Sequence, residues 1–380
     1  MISLNQPNID NSDLKEIIST VKDNWVSTAG PIVTKLEKKI SKFVKSKHTV
    51  SFINGTSALQ IALKLIGANE NTEVIAPTVT FVAPINAILY NGSRPIFMDA
   101  DKFCNIDVNK TIEFLKTKTF MRSGFCYNKK TKKKIVGIII VHVWGNAVFF
   151  DDLYRICKKI NIKIIEDASE SFGTKYTLGK FKNKYTGAIG DIGVYSFNGN
   201  KIITGGCGGA LTTNSFKYAK LAKYLSTQAI DDSDYYIHNN IGYNFRLASI
   251  NAALCISQLK KIKKFIDNKK TIYETYKKKL SIFKDFELLE TPSYADNNHW
   301  QNVILCKKDK LKKIIKKSKL TNIQVRAMWL PNHIQKPYMK FQSYRITNAN
   351  NLKNVVLCIP SSSNLTKKNI NKVVSLLKNV

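Results

Sequence analysis

Between residues 49 and about 215, short runs of apolar and largely β-branched residues alternate with amphipathic stretches. The seven runs begin at residues 49, 73, 94, 136, 162, 192 and 209. Several of them are apolar throughout, which is typical of strands that a parallel sheet buries on both faces. Strands that alternate with helical segments form a sheet that helices cover on both sides. The pattern therefore predicts an α/β fold with a mainly parallel central sheet sandwiched by helices.

After Asn214 the pattern changes to longer, lysine-rich helical segments, one of which is predicted to run from Ser249 to about Leu280. The C-terminal part returns to alternation, with strand-like runs at 302, 322 and 354 and helical runs at 308–318 and from 367. No low-complexity linker separates the two patterns. We therefore predict a large domain over residues 1–255, which includes the N-terminal segment, and a smaller C-terminal α/β domain over residues 256–380.

The chain is strongly basic, because 60 Lys and Arg residues stand against 27 Asp and Glu residues and give a formal net charge of +33. Such a charge attracts polyanions through long-range electrostatics. The lysines are nevertheless spread through predicted helices and loops, and no zinc-knuckle spacing or RNA-binding aromatic motif accompanies them. We attribute the charge to a general lysine bias and expect no nucleic-acid partner. The alternative is a basic nucleic-acid-binding regulator without catalysis.

The cysteine pattern and the hydropathy exclude several other classes of protein. The seven cysteines contain no CxxC pair, so we expect neither a disulfide framework nor a bound metal. The N-terminus lacks the basic and apolar regions of a secretory signal. The most apolar window, residues 135–150, is shorter than a bilayer span and contains His142, Gly145 and Asn146. We therefore expect a cytoplasmic protein without a membrane segment.

The sequence INGTSALQIAL, residues 53–63, places Gly55, Thr56 and Ser57 between a predicted strand and the start of a helix. N–H groups in the first helical turn have no intrahelical acceptor, and the helix dipole favours an anion there. A phosphate group fits such a position. The alternative is that Thr56 or Ser57 only caps the helix and that no ligand binds.

A carboxylate, Asp167, ends the predicted strand IKIIED. Ligands of open parallel sheets gather outside the carboxyl ends of the strands, so Asp167 points toward the place that a cofactor would occupy. There it could hold a proton on a heterocyclic nitrogen. Equally, it could cap the helix that follows.

One lysine, Lys201, lies in the glycine-rich loop SFNGNKIITGGCGG, five residues after Ser196. Glycines let the backbone approach a ligand closely, and we expect these to provide clearance around a bound group. A partly desolvated lysine in this setting can act as a nucleophile toward carbonyl compounds, although a surface lysine is the alternative. A phosphate cradle, a carboxylate and a lysine at three strand ends are what pyridoxal 5'-phosphate (PLP) requires.

At these residues the chain resembles the DegT/DnrJ/EryC1/StrS family of sugar aminotransferases, from WVSTAGPIVTKLEKKI at Trp25 to NHIQKPY at Asn332. The resemblance implies the architecture of a fold-type I PLP-dependent transferase. The wording FNGNKIIT, the strand VHVWGN and a polar excursion at 125–135 look most like the LegC-type branch of that family.

The resemblance also implies roles for the cofactor site. Lys201 matches the lysine that holds PLP covalently, and Asp167 matches the acid that partners the pyridine nitrogen. Ser196, Thr56 and Ser57 match ligands of the phosphate. Thr56 and Ser57 follow Gly55 directly in the same turn.

Three further positions match family residues around the cofactor. Phe81 matches an aromatic ring that stacks on the cofactor, and Glu170 takes the place where relatives commonly have His or Gln near the 3'-oxygen. This glutamate departs from the commoner choices. Asn244 matches an asparagine that reaches the phosphate of the neighbouring subunit, which implies a homodimer with shared active sites.

The expected substrates follow from the same resemblance. L-glutamate would donate the amino group, and members of the LegC-type branch aminate C4 of a UDP-linked 2-acetamido-2,6-dideoxy-4-hexulose for bacillosamine- or legionaminic-type sugars. GDP-4-keto-6-deoxymannose, the substrate of perosamine synthases, stays open as the alternative. The residues that match regions lining the sugar-nucleotide pocket, or that could neutralise a substrate anion, are Trp25, Thr28, Gly30, Arg246, His333 and Tyr338. His333 could equally be a polar loop residue, and Arg246 could form a structural ion pair.

Overall fold

A computed structural model describes the whole chain, residues 1–380. Twelve α-helices are present: α1 (Asn11–Lys22), α2 (Pro31–Val44), α3 (Gly55–Leu65), α4 (Val82–Tyr90), α5 (Val108–Thr117), α6 (Asp151–Lys159), α7 (Phe216–Ser226), α8 (Ser249–Lys260), α9 (Ile262–Leu280), α10 (Lys308–Leu320), α11 (Asn348–Leu352) and α12 (Lys367–Lys378). None of the helices is long and apolar enough to cross a membrane.

Sixteen strands accompany them: β1 (His48–Phe52), β2 (Thr72–Pro77), β3 (Arg94–Met98), β4 (Thr119–Arg122), β5 (Phe125–Asn128), β6 (Lys134–Val141), β7 (Lys163–Asp167), β8 (Lys175–Tyr176), β9 (Ile192–Ser196), β10 (Gly209–Thr213), β11 (Phe286–Leu288), β12 (Ala295–Asp296), β13 (Asn302–Cys306), β14 (Arg326–Ala327), β15 (Ser343–Tyr344) and β16 (Val356–Ile359).

The large sheet has ten strands, and its main path follows the order β1, β10, β9, β7, β6, β2, β3, β15. From β9 to β15 every neighbouring pair is parallel, whereas β10 runs antiparallel to both β9 and β1. The carboxyl ends of β1, β9, β7, β6 and β2 therefore meet at one edge. This topology confirms the predicted α/β fold with a mainly parallel sheet.

The central strands are apolar throughout because both of their faces are buried. In β6, Ile138 and Ile140 belong to one hydrophobic core, while Ile139 and Val141 belong to another on the opposite face. Successive side chains of a strand point to opposite faces, so each core receives every second residue. Helices cover both faces, and α3 lies across β9 and β10 on one of them.

A second sheet of four antiparallel strands, in the order β11, β13, β16, β14, lies in the C-terminal part. It shares a separate hydrophobic core with α9, α10 and α12. Three strand-like pairings are among the contacts that join this part to the rest of the chain: Ile2 pairs with Ile323, β12 pairs with β8, and β15 adds a parallel strand to β3. The predicted boundary at residues 255 and 256 falls inside α8, and the division into two domains stays a prediction.

Three local predictions are corrected. The polar excursion at 125–135 contains strand β5, which pairs with β4 and attaches the hairpin to β6, since Tyr127 pairs with Lys134. The long helix predicted from 249 to 280 is two helices, because the chain turns at Lys261, where α8 ends and α9 begins. The strand predicted at 322 is reduced to Arg326–Ala327, since only these residues pair with β16.

Candidate active site

The start of α3 forms one end of the site. The side chain of Asn54, the residue before the helix, accepts a hydrogen bond of 2.8 Å from the N–H of Ser57. The N–H groups of Gly55 and Thr56 lie in the same first turn, where a helix offers them no acceptor. A side chain at Gly55 would begin 3.1 Å from Cβ of Ser196, so glycine keeps this corner open. The residue that caps α3 is therefore Asn54, and not Thr56 or Ser57. The N–H groups of Gly55 and Thr56 remain available to an anion.

The glycine-rich loop clears room for the protein backbone. A Cβ on Gly209 would lie 2.5 Å from the carbonyl carbon of Asn54, and one on Gly205 would lie 2.5 Å from Sγ of Cys255. For Gly205 and Gly209 the expectation of clearance around a ligand is therefore corrected. They let β10 lie against the start of α3 and let the loop lie against α8, which fixes the loop that carries Lys201.

Asp167 ends β7, and its backbone N–H and C=O belong to the sheet edge while its side chain faces the cavity. Its carboxylate accepts a hydrogen bond of 3.0 Å from the N–H of Ser169. Burial raises the pKa of this carboxyl above its ordinary value, against a smaller opposing effect of the bond from Ser169. A buried carboxylate with so few donors is ready to pair with a proton or a cation.

The preceding residue of the same strand points to the opposite face. The carboxylate of Glu166 accepts hydrogen bonds from the N–H groups of Gly187, Ile189 and Gly190 and lies 3.1 Å from Nε2 of His142. These contacts hold the loop before β9. The carboxylate of Glu166 thus contacts several groups of the protein, whereas that of Asp167 accepts a hydrogen bond from Ser169 alone.

Lys201 approaches the cavity from the loop after β9. Its Nζ lies 3.5 Å from Oε1 of Glu170 and 4.4 Å from the centroid of the Trp300 ring. The other carboxylate oxygen of Glu170 accepts a bond of 2.8 Å from the N–H of Trp144. Burial raises the pKa of Glu170, and the charge of Lys201 works against that rise.

A cavity of about 480 Å³ joins these groups, a volume typical of small-molecule sites. Seven of the residues predicted for the cofactor line it together: Gly55, Thr56, Phe81, Asp167, Glu170, Ser196 and Lys201. Ser57 lies next to them in α3, with its N–H bound to Asn54. Residues that are distant in the sequence are thus brought to one edge of the sheet.

The cavity also contains residues that the sequence reasoning missed. Trp144 and Trp329 stack on each other with ring centroids 5.7 Å apart and form part of the wall, which Trp300 and Asn54 extend. Arg326 is the one cationic lining residue besides Lys201. The asparagine before a helix start is a sequence signal that could have identified Asn54. No local pattern announces Trp300, Trp329 or Arg326, because tertiary packing brings them from the C-terminal part.

The predicted substrate residues lie outside this cavity, as does Asn244, which was predicted to reach the cofactor phosphate of the neighbouring subunit. Asn244 is exposed and pairs with Thr227, and Trp25 is 45% exposed, beside a second depression at the start of α2. Nε of Arg246 is buried without a hydrogen-bond partner. Thr28 and Gly30 precede α2 near Trp25, and a Cβ on Gly30 would lie 3.0 Å from its ring. Their roles stay predictions.

His333 and Tyr338 hold the segment after Trp329 against the large sheet. Nδ1 of His333 lies 2.7 Å from Oγ1 of Thr78, and the hydroxyl of the buried Tyr338 donates to Oδ1 of Asn86 at 2.5 Å. Burial lowers the pKa of His333 and raises that of Tyr338. Both side chains are engaged by the protein, and their predicted substrate contacts remain untested.

The donor set fits PLP. The open corner at Gly55, with a helix start and Ser196, suits a phosphate group; Asp167 suits a protonated pyridine nitrogen; and Lys201 supplies an amine. No group of three or more His, Cys, Asp or Glu side chains is arranged to hold a metal ion. A wider groove between α9 and α12, of about 1080 Å³, is lined mainly by charged and polar surface residues such as Lys270 and Glu274. It brings together no comparable set.

Comparison with known sequences identifies relatives along nearly the whole chain. The DegT/DnrJ/EryC1/StrS aminotransferase family matches residues 7–378. The chain is 33% identical to the GDP-perosamine synthase of Escherichia coli O157:H7 over 280 residues, which cover 74% of this chain and 71% of that protein. It is 29% identical to the UDP-4-amino-4,6-dideoxy-N-acetyl-beta-L-altrosamine transaminase of Campylobacter jejuni over 380 residues, or 97% and 94% of the two chains.

Solved structures share the fold. An aminotransferase of the DegT/DnrJ/EryC1/StrS type from Brucella abortus superimposes with a TM-score of 0.87 at 23% identity, covering 97% of this chain and 95% of that chain. The PLP form of Spr1654 from Streptococcus pneumoniae gives a TM-score of 0.87 at 19% identity, covering 100% and 98%. Both likenesses extend over nearly the whole chain.

Proposed function

The chain belongs to the DegT/DnrJ/EryC1/StrS aminotransferase family, whose members depend on PLP, and from this premise we propose the reaction that it catalyses. It transfers the amino group of L-glutamate to C4 of a nucleotide-linked 4-keto-6-deoxyhexose. UDP-2-acetamido-2,6-dideoxy-4-hexulose is the substrate that the sequence motifs favour. The product would serve bacillosamine- or legionaminic-type sugar and polysaccharide biosynthesis.

The observation that carries this proposal is the meeting of three strand ends in one cavity. Helix α3 begins after β1, Asp167 ends β7, and Lys201 follows β9, and all of them line the same space. A phosphate-binding turn, a buried carboxylate and an amine are thereby presented to one ligand. Neither the groove between α9 and α12 nor the depression at the start of α2 brings such groups together.

Bound PLP supplies an electron-withdrawing pyridine ring that stabilises negative charge at the reacting carbon. The carboxylate of Asp167 would keep a proton on the pyridine nitrogen. Burial alone raises the pKa of Asp167, and a cationic partner opposes this rise and favours the carboxylate form. The first turn of α3 and Ser196 bind the phosphate. Phe81, which lines the cavity, would contact the ring.

Lys201 holds the cofactor and, once released by the amino donor, moves a proton from the α-carbon of that donor. In the second half of the reaction the same amine would deliver a proton to C4 of the sugar. Glu170, 3.5 Å from Nζ, stays close enough to stabilise the charged amine between these steps. Trp144 and Trp329 form an apolar wall that keeps water from this side of the cavity.

Arg326 offers the charge that an anionic substrate needs. It lies on β14 at the cavity and is exposed, and its Nη1 donates a hydrogen bond of 3.3 Å to the carbonyl of the preceding residue, Val325. Its guanidinium can therefore turn to a carboxylate of L-glutamate or to the diphosphate of the nucleotide. Trp25, Thr28 and Gly30 would contact the nucleotide sugar in a homodimer, in which Asn244 of each subunit completes the site of the other.

A GDP-linked substrate is the second candidate. The observation in its favour is the 33% identity to a GDP-perosamine synthase. For that enzyme type the acceptor would be GDP-4-keto-6-deoxymannose, with a hydroxyl in place of the acetamido group at C2. The two candidates differ in both the base and the C2 substituent, so one assay separates them.

The test uses the purified protein loaded with PLP, L-glutamate and either UDP- or GDP-linked 4-keto-6-deoxy sugars, with the aminated product measured by mass spectrometry. We expect product from the UDP-linked 2-acetamido sugar. Lys201→Ala should remove the visible absorbance of lysine-bound cofactor and lower turnover by at least about 1000-fold. Lys217→Ala, at an exposed lysine of α7, is the matched control and should behave like the wild type. A wild-type protein that neither takes up PLP nor turns over either sugar would contradict the proposal.

A further inference from the structure

Trp300 contacts Lys201 twice. Its Nε1 donates a hydrogen bond of 2.7 Å to the carbonyl oxygen of Asn200, the peptide that precedes the lysine. The face of the same indole lies 4.4 Å from Nζ of Lys201. An ammonium group over an indole face is attracted by the negative potential of the ring. Trp300 therefore holds both the backbone and the charged end of this lysine.

The carboxylate of Glu170 approaches the same ammonium from another side, with 3.5 Å between Nζ and Oε1. We call the Trp300 face and the Glu170 carboxylate together the ammonium seat. Both of its walls are nearly buried, since Trp300 is 5% and Glu170 is 7% exposed. Low exposure to water strengthens both the ion pair and the cation–π contact.

One buried side chain braces both walls of the seat. Oδ1 of Asn298 accepts from the N–H of Trp300 at 2.9 Å, and its Nδ2 donates to the carbonyl of Glu170 at 2.9 Å. Asn298 is fully buried. On the far side, Nζ of Lys269 donates to the carbonyl of Trp300 at 2.9 Å. The seat is thus built from fixed groups and does not depend on a chance rotamer at the surface.

We propose that Trp300 is a positioning residue whose indole face, with Glu170, stabilises the free ammonium form of Lys201 relative to the form bonded to the cofactor. The inference rests on the proposed function, in which the lysine alternates between these two forms. When the ammonium condenses with the aldehyde of PLP, a carbon–nitrogen double bond forms, and one water molecule and one proton leave. The nitrogen then no longer presents an ammonium to the seat.

The proposal predicts that a substitution of Trp300 strengthens PLP binding, whereas the loss of a supporting residue would weaken it. If the seat favours the free lysine, Trp300→Leu should bind PLP about fivefold more tightly than the wild type, because the contact with the ammonium is lost in the unbound state alone, whereas the bond to Asn200 is lost in both states. The concentration of L-glutamate that releases half of the lysine-bound absorbance should rise by a similar factor. A residue that merely supports the fold would do the opposite, and its loss would weaken binding.

The experiment titrates cofactor-free wild type, Trp300→Leu, Trp300→Phe and Tyr273→Leu with PLP and follows the absorbance of the lysine-bound form. Trp300→Phe keeps an aromatic face but loses the bond to Asn200, so it should bind PLP within about twofold of the wild type. Tyr273 packs on the neighbouring His299 with centroids 4.5 Å apart, and its variant controls for disturbance of the same segment. Unchanged or weaker binding by Trp300→Leu overturns the proposal, as does a Trp300→Phe protein that behaves like the leucine variant.

If the Trp300→Leu protein does not fold, a second measurement can test the proposal without a destabilising substitution. Residue-specific incorporation of fluorinated tryptophans reduces the negative potential of the indole face and keeps its shape. PLP affinity should rise stepwise with the number of fluorine atoms in the wild type and stay constant in Trp300→Phe. A flat series in the wild type would overturn the proposal. A wild-type protein that forms no lysine-bound cofactor would contradict the proposed function instead.

Discussion

Two aspartates, Asp99 after β3 and Asp167 at the end of β7, lie at the carboxyl ends of strands in the same sheet, yet their surroundings are opposite. Asp99 is fully buried and accepts hydrogen bonds from six donor groups. The donors are the N–H groups of Ala100, Thr347, Asn348 and Ala349, the hydroxyl of Thr347 and Nζ of Lys110. Asp167 is also buried but receives its hydrogen bond from Ser169, two residues away.

The pKa shifts of the two carboxyls follow from this difference. The donors around Asp99, led by Lys110 and the first-turn N–H groups of α11, overcome burial and hold its pKa well below the ordinary value. At Asp167 burial prevails and raises the pKa. Position at a strand end therefore does not by itself mark a binding residue. The missing donors around a buried carboxylate do, because a ligand must supply them.

The largest effect that the comparison predicts is on catalysis. Asp167→Asn should lower turnover by about 100-fold or more, because the amide cannot hold the proton that the cofactor nitrogen needs. The cofactor-free variant should at the same time be more stable than the wild type by about 1 kcal/mol, since a buried charge with few partners has been removed. Steady-state kinetics and urea unfolding measure the two effects. Wild-type turnover in this variant would break the distinction between the two aspartates.

The matching change at the other strand end should act on stability. Asp99→Asn loses the ion pair with Lys110 and a charged acceptor for α11, which we expect to lower the free energy of unfolding by about 3 kcal/mol. Turnover per folded molecule, measured at low temperature, should stay within a few-fold of the wild type. An Asp99→Asn protein that is fully stable but inactive would show that the roles had been assigned the wrong way round.

The two carboxyls should also respond to pH with opposite signs. The lowered pKa of Asp99 means that its contribution to stability is present above its unfolded value of about 3.9 and is lost as the pH falls below it. The raised pKa of Asp167 means that the folded state is favoured at low pH and that this advantage is lost as the pH rises through the raised value. Urea midpoints of the cofactor-free wild type and both variants between pH 3 and 8 check this. If the urea midpoints of the two variants changed with pH in parallel, the opposite pKa shifts assigned to Asp99 and Asp167 would be refuted.

The smallest expected effect concerns one donor among many. Lys110→Met removes the ammonium that lies 2.5 Å from Oδ2 of Asp99, but five other donor groups remain. We expect a loss of about 1 kcal/mol. Removing a donor from Asp99 should thus matter less than removing the carboxylate. Thermal unfolding of Lys110→Met and Asp99→Asn side by side would sharpen the comparison, and equal losses would contradict it.

Local sequence signals were enough to predict the central sheet and the cavity residues that lie on or next to its strands. Apolar runs indicate β7 and β9, and the residues predicted at or after their ends, Asp167, Ser196 and Lys201, line one cavity, although the role of Ser196 was implied by the family resemblance. Side chains from the C-terminal part were not found, since Trp300 and Arg326 reach the cavity only after distant segments pack together. The hairpin within 119–128 was missed because its strands are short and partly polar, so their periodicity is weak.

The cap that Asp99 places on α11 joins residues 250 positions apart in the chain. On a ribosome that adds about 5 to 20 residues per second, this carboxylate waits roughly 12 to 50 seconds for its helix to emerge. β15 arrives in the same interval to cover the edge of β3. Until then the nascent sheet carries an unpaired edge and a carboxylate without its backbone donors. The large sheet is therefore completed only when the C-terminal segment has been translated. Slow release from the ribosome would prolong the period in which the chain is prone to aggregate.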